Sequence, residues 1–134
     1  MKERAWLHVV RELALVLKNA VTFNPAKHGL DPVLGNHVII RMDAVYALYA
    51  HPAPGSVALE AGQAVRTGDA VGRVGHTGSS TAPHLHFQLM DSPDLLQAGG
   101  IPCAFREYEV DRAGRWERVE QGIPRKAERI RSVS

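Results

Sequence analysis

Two imidazoles one residue apart, in the run APHLHFQLM from Ala82 to Met90, are the residues of this chain best spaced to do chemistry. Side chains of an extended strand alternate between faces, so His84 and His86 are expected to share one side. Leu85 and Phe87 take the other side, where burial is expected. Such a strand offers a metal ligand beside a proton carrier, with an apolar face to anchor both. A third imidazole, His51, closes YALYAHPAPG, where Pro52 and Pro54 make the chain turn. His76 falls in a glycine-rich turn and His37 follows a Gly-Asn pair; both read as surface residues.

Elements able to position these groups can be read from the surrounding text. From 37 to 90 the sequence is β in character: HVIIRM, VYALYAH, SVALEAG, AVRTGDAVGRVG and PHLHFQLM are short runs punctuated by Gly and Pro. Gly75, Gly78, Ser79, Ser80 and Thr81 let the backbone approach a cleft, or supply hydroxyls to a substrate. Asn36 suits a tight turn with left-handed geometry. Tyr46 and Tyr49 stand three apart, so at least one is expected in the core. Residues 5–20 fit a helical stripe (Trp6, Val9, Val10, Leu13, Val16, Leu17, Ala20), while LALVLKNAVTF equally fits a strand. NPAKHGLDPVLGN, residues 24–36, reads as a loop. The end, 111–134, holds seven Lys or Arg against four acids and few large apolar residues, as in a solvated, partly mobile extension.

Composition narrows the function classes. The 134 residues suit one domain, and 45% hydrophobic with 22% charged residues is globular composition. A formal charge of +2 is too small to argue for nucleic acid, although the pI near 8.9 leans basic. Cys103 stands alone, which rules out an intrachain disulfide and a cysteine zinc cluster, and it reads as a buried small hydrophobe. No export signal is apparent, because Arg11 and Glu12 interrupt the first apolar run. Nothing approaches the roughly 20 apolar residues of a membrane span. As written, the chain reads as a cytoplasmic product or as a piece of something longer.

The strings GNHVII, YALYAHPAPGSV and VRTGDAVGRVGHTGSSTAPHLHFQLMD resemble the catalytic core of the lysostaphin/LytM-type zinc metallopeptidases. The resemblance covers about residues 34–110, with the Gly-Asn pair, the Tyr-Ala-His triplet and the Pro-His-Leu-His-Phe string in order. It implies an endopeptidase acting on peptidoglycan or a related peptide, zinc as cofactor, and the duplicated hybrid motif, a β-sandwich, as fold. It implies His86 as a zinc ligand, with His51 and His84 as the two histidines flanking the metal-bound water. Ser80, Thr81 and Asn36 are the candidate substrate contacts. Where the family often has Gly before Pro-His-Leu-His this chain has Ala82, and where Glu often follows Phe it has Gln88. The expected fold is therefore all-β, a single β-sandwich or barrel-sandwich-hybrid-like domain. It divides into an ambiguous N-terminal segment 1–33, a metallopeptidase-like core 34–110 and a basic, polar tail 111–134.

One departure bears on the chemistry. The family draws its other two zinc ligands from a His-x-x-x-Asp motif ahead of the Gly-Asn hairpin, and residues 1–34 contain none. His8 is followed four residues later by Glu12, and His28 has Asp31 three residues on. On the resemblance, the ligand strand would precede Met1, and a cell-envelope or extracellular location would then be expected. A catalytic zinc site needs three protein ligands, so one is not enough. Three readings stay open: a truncated piece of an active enzyme, a degenerate member that binds cell wall or activates a partner, or an unorthodox site completed by His8/Glu12 or His28/Asp31. The rhythm of VALEAGQAVRTGDAVGRVG also resembles biotinyl and lipoyl carriers, but Lys2, Lys18, Lys27 and Lys126 all lie outside that hairpin. The carrier reading therefore fails on chemistry.

Overall fold

The strand Val45–Ala50, the most apolar run of the first sheet, lies inside it between two hydrogen-bonded neighbours. A computed structural model describes residues 30–133. The residues up to Gly100 and those from Ile101 on form two compact units.

The first unit opens with a single helical turn, α1 (Asp31–Leu34), started by Pro32 and ended by Gly35 at φ 61°. It sits inside the segment expected to be loop. β1 (His37–Met42), β2 (Val45–Ala50) and β3 (His86–Met90) follow, joined antiparallel in spatial order, with the two-residue β4 (Gly100–Ile101) next to β3. Each long strand lies within a run marked as β from sequence. Directly opposed residues share a face, so Ala50, with His37 on one side and His86 on the other, forms one row across the sheet. Leu48 with Ile39 and Gln88, and Tyr46 with Arg41 and Met90, continue that face.

This face is the buried one. Leu34, Leu48, Ala50 and Met90 form its core, with Leu30, Ile39, Tyr46, Leu95 and Ala98 packed around them. Burying side chains such as Leu48 and Met90 stabilises the unit by about 1.5–3 kcal/mol each. The opposite face carries Tyr49 against Phe87, edge to face at 5.2 Å. Phe87 remains 36% exposed and Leu85 48% exposed. The expected assignment of faces is thus reversed. α1 and the 95–98 segment cover the histidine-bearing side, whereas the Leu85 and Phe87 side is the open one.

SVALEAG and AVRTGDAVGRVG, expected as strands, form no regular ladder. Residues 53–73 instead make an excursion held by Ala53 N–H to the Arg73 carbonyl (2.8 Å) and Ala58 N–H to the Val71 carbonyl (3.0 Å). Its base is closed by isolated bridges between Pro52 and Val74 and between Gly75 and His84.

The second unit corrects the expectation of a mobile tail. β5 (Phe105–Arg112), β6 (Arg115–Gly122) and β7 (Ile130–Arg131) form an antiparallel sheet in the order β6-β5-β7. Tyr108 and Val110 are buried on one face. On the other, Trp116 lies under Arg131 at 4.2 Å and Arg129 at 5.9 Å. The basic residues meet acids across the strands: Arg118 with Glu107, Arg131 with Glu109, Arg129 with Asp111 and Arg112 with Glu128. Cys103 is half-buried. All described strands are antiparallel, and the described residues are all-β apart from α1. Among the described residues, no helix is long and apolar enough to cross a membrane. The ambiguous segment 5–20, together with His8, Glu12 and His28, lies outside the described residues.

Candidate active site

His51 directly follows β2 and has φ 68°, a left-handed backbone that a non-glycine residue adopts at a cost. Its surroundings hold it there. The His51 N–H donates to the carbonyls of Asn36 (3.0 Å) and Leu34 (3.3 Å), and its ring Nδ1 donates to the Thr77 carbonyl at 2.8 Å. The residue is 4% exposed. With Nδ1 committed to an acceptor that carries no proton, the ring exchanges protons through Nε2.

That anchoring depends on two loops crossing at van der Waals distance. A Cβ on Gly78 would lie 2.4 Å from Gly35 N, and one on Gly35 would lie 2.4 Å from Gly78 N. Glycine at both positions brings Thr77 against the α1 loop. Asn36 N–H then donates to Thr77 Oγ1 (3.1 Å), Thr77 Oγ1 donates to the Pro52 carbonyl (3.1 Å), and Ser79 N–H donates to the Val33 carbonyl (2.8 Å). The sequence suggests that Gly75 and Gly78 let the backbone approach a cleft; in the structure what approaches closely at both is neighbouring backbone. A Cβ on Gly75 would meet Ala53 N at 2.3 Å. The left-handed residue of the α1 turn is Gly35, and Asn36 instead points its amide Nδ2 to the Pro52 carbonyl at 3.3 Å.

The three sequence-derived histidines come together. The His51 and His84 rings are 4.7 Å apart between centroids, and those of His51 and His86 are 6.0 Å apart. His86 opens β3 opposite Ala50, which places it beside the end of β2 where His51 begins. His84 precedes the strand and is held by its N–H to the Gly75 carbonyl at 3.1 Å. His84 Nδ1 donates to the Ala82 carbonyl at 2.8 Å, so this ring too presents Nε2 as its exchanging nitrogen. His86 Nε2 donates to Gln88 Oε1 at 3.3 Å, which leaves the Nδ1 lone pair as its donor to any metal. Gln88 fills the place where the family often has Glu, and the amide oxygen serves as the same kind of acceptor.

Thr81 is exposed, whereas Ser80 is 4% exposed and turned inward. His76, in its exposed turn, meets Ser80 Oγ through Nδ1 at 2.8 Å. Sequence reasoning placed His76 in solvent, and its only clue to this contact was the four-residue spacing to Ser80. His37, half-buried in β1, places Nδ1 3.1 Å from the Gly35 carbonyl and Nε2 4.0 Å from Asp31 Oδ1.

A zinc site does not fit the described residues by themselves. No group of three His, Cys, Asp or Glu side chains among them is placed to hold a metal ion. Two of the three clustered rings have Nδ1 tied to carbonyls, which leaves their Nε2 atoms open to a proton or to a ligand, and no carboxylate among the described residues joins them in a metal-binding group.

The profile of Peptidase family M23 matches residues 20–97, which include His51, His84 and His86. The chain is 34% identical over 105 residues to proteins named DD-carboxypeptidase/endopeptidase Mpg from Neisseria meningitidis serogroup B and from Neisseria gonorrhoeae. The match covers 68% of this chain and 23% of those proteins, so the chain spans about a quarter of the length of the curated relatives it matches. No solved structure matches the chain.

Proposed function

From a chain that belongs to Peptidase family M23, we infer an endopeptidase that hydrolyses peptide bonds of peptidoglycan, working in the cell envelope. The observation that carries this reading is the meeting of the His51 and His84 rings at 4.7 Å, each with Nδ1 pinned to a carbonyl. Two imidazoles held this way can divide one hydrolysis between them. One, entering neutral, accepts the proton of the attacking water at Nε2, and the other, entering as the imidazolium, gives its Nε2 proton to the departing amine nitrogen, so the pair exchanges charge over one turnover. The ring that remains protonated between those events stabilises the oxyanion of the tetrahedral intermediate. Thr81, exposed beside the cluster, and Asn36, at its loop, are the residues proposed to contact the peptide. The substrate chemistry follows the relatives, whose printed names describe carboxypeptidase and endopeptidase activity.

His86 is proposed as one donor of a zinc site whose other donors lie outside the described residues. A single nitrogen donor leads us to expect zinc well below one per chain after dialysis against metal-free buffer, measured by elemental analysis. A value near one would place further donors among residues 1–29, and His86→Ala would then remove the metal.

The function itself is tested with soluble peptidoglycan peptides, with and without added zinc, by the appearance of new amino termini. His51→Ala and His84→Ala are expected to lower the rate by about 10²–10⁴-fold while leaving the fold intact. The lack of a three-donor metal group among the described residues favours a second reading, a non-catalytic wall-binding or partner-activating module. Binding of the peptides without cleavage, unchanged in both variants, would establish it.

A further inference from the structure

Ser80 Oγ is buried among three polar neighbours: the Ala82 carbonyl at 2.7 Å, His76 Nδ1 at 2.8 Å and His84 Nδ1 at 3.1 Å. A hydroxyl has one proton to give and two lone pairs to offer. The carbonyl can only accept, so the Ser80 proton goes to Ala82, and both imidazole nitrogens then face lone pairs. Each must therefore carry its proton on Nδ1. His84 Nδ1 also lies 2.8 Å from the Ala82 carbonyl, so two acceptors require the same proton. The hydroxyl is saturated by these contacts and has nothing left for a substrate, which gives Ser80 a role other than the substrate contact expected from sequence.

We propose that Ser80 is a positioning residue that locks the His84 ring in its Nδ1–H tautomer, with His76 as the outer partner that orients the hydroxyl. A neutral imidazole in water favours the other tautomer slightly, so a ring without this support divides between the two forms. Only the Nδ1–H form presents a basic Nε2 to a reacting water. The importance of this lock for hydrolysis rests on the peptidase reading, but the lock itself is a property of the resting chain. The backbone supports it independently: the Ser80 N–H donates to the Gly78 carbonyl at 3.0 Å, fixing the hydroxyl relative to the Gly78 and Gly35 crossing.

The test is a long-range ¹H–¹⁵N correlation spectrum of the histidine side chains, recorded above the ordinary imidazole pKa on the full chain without metal or substrate. In the wild-type protein His84 is expected to show one tautomer, protonated on Nδ1. In Ser80→Ala its two nitrogen shifts should converge towards those of a tautomer mixture. His51, whose Nδ1 is held by Thr77 and which makes no contact with Ser80, should keep its signature and reports that the fold persists. If His84 stays purely Nδ1–H in Ser80→Ala, the Ala82 carbonyl alone sets the tautomer and the proposal is overturned. If Ser80→Ala loses the His51 signature through unfolding, the near-isosteric Ser80→Cys decides. An unchanged His84 spectrum in that folded variant overturns the proposal, and convergence supports it. Neither outcome depends on catalysis, so failure of the peptidase reading and failure of this lock are separate results.

Discussion

Gly78 and Gly62 have the same backbone sign and opposite surroundings, and the contrast shows what holds His51 in place. Both lie at positive φ, 69° and 83°, but only at Gly78 would a Cβ strike backbone, at 2.4 Å from both Gly35 N and Val33 O. Gly78→Ala is expected to destabilise the first unit by about 2–5 kcal/mol, combining a left-handed penalty of about 1–2 with overpacking of about 1–3. Gly62→Ala, with open space around it, should cost only the first part. Urea unfolding of the two variants checks this as a shift of midpoint at constant slope. An equal effect at both positions would mean that the crossing of the two loops contributes nothing. The individual histidines were legible from the spacing of their motifs. Ser80 was not, because its partners lie four residues away on either side in a turn, and the path of a turn is not periodic.

At the scale of elements, the sheet formed by β5, β6 and β7 holds an ionisation that can be followed by pH. Glu128 has its pKa lowered, first by the Arg125 N–H that donates to its carboxylate at 2.8 Å, and then by the Arg112 guanidinium. Its folded pKa therefore lies below the unfolded one. The ionised carboxylate supports the fold at neutral pH, and that support is lost as the pH falls through the carboxylate range to the folded value. Glu128→Gln should be less stable than wild type at neutral pH and equal to it once both side chains are uncharged, read from thermal unfolding at stepped pH. A constant difference across that range would refute the linkage. This sheet was the part of the fold least legible from sequence. Seven basic residues against four acids suggest a solvated tail. Pairing instead sets Arg118 opposite Glu109 and Arg131 opposite Glu109 on the other side, and the net charge of a segment carries no record of such register.

Over the whole molecule, protection from hydrogen exchange should follow the two sheets. Amides of β2 near Leu48 and of β5 near Tyr108 and Val110 lie in ladders over buried side chains and are expected to exchange most slowly. Residues 53–73 have few backbone bonds and much exposure, and should exchange fastest among the described residues. Mass-spectrometric exchange on the intact chain reads all three. Slow exchange across 53–73 would show a ladder there after all.

The sequence by itself determined the three long strands of the first sheet and the identity of the three clustered histidines. Strand periodicity and short ordered motifs are local properties, and both are written in consecutive residues. Only the tertiary structure decided which face of β3 is buried, because that depends on α1 and the 95–98 segment folding over the histidine side. It likewise decided that Gly35 and Gly78 serve each other, that Ser80 turns inward to two imidazoles, and that the charged end of the chain closes into a sheet. Each of those outcomes is a contact between residues far apart in sequence or around a turn, where neither alternation nor composition specifies the partner.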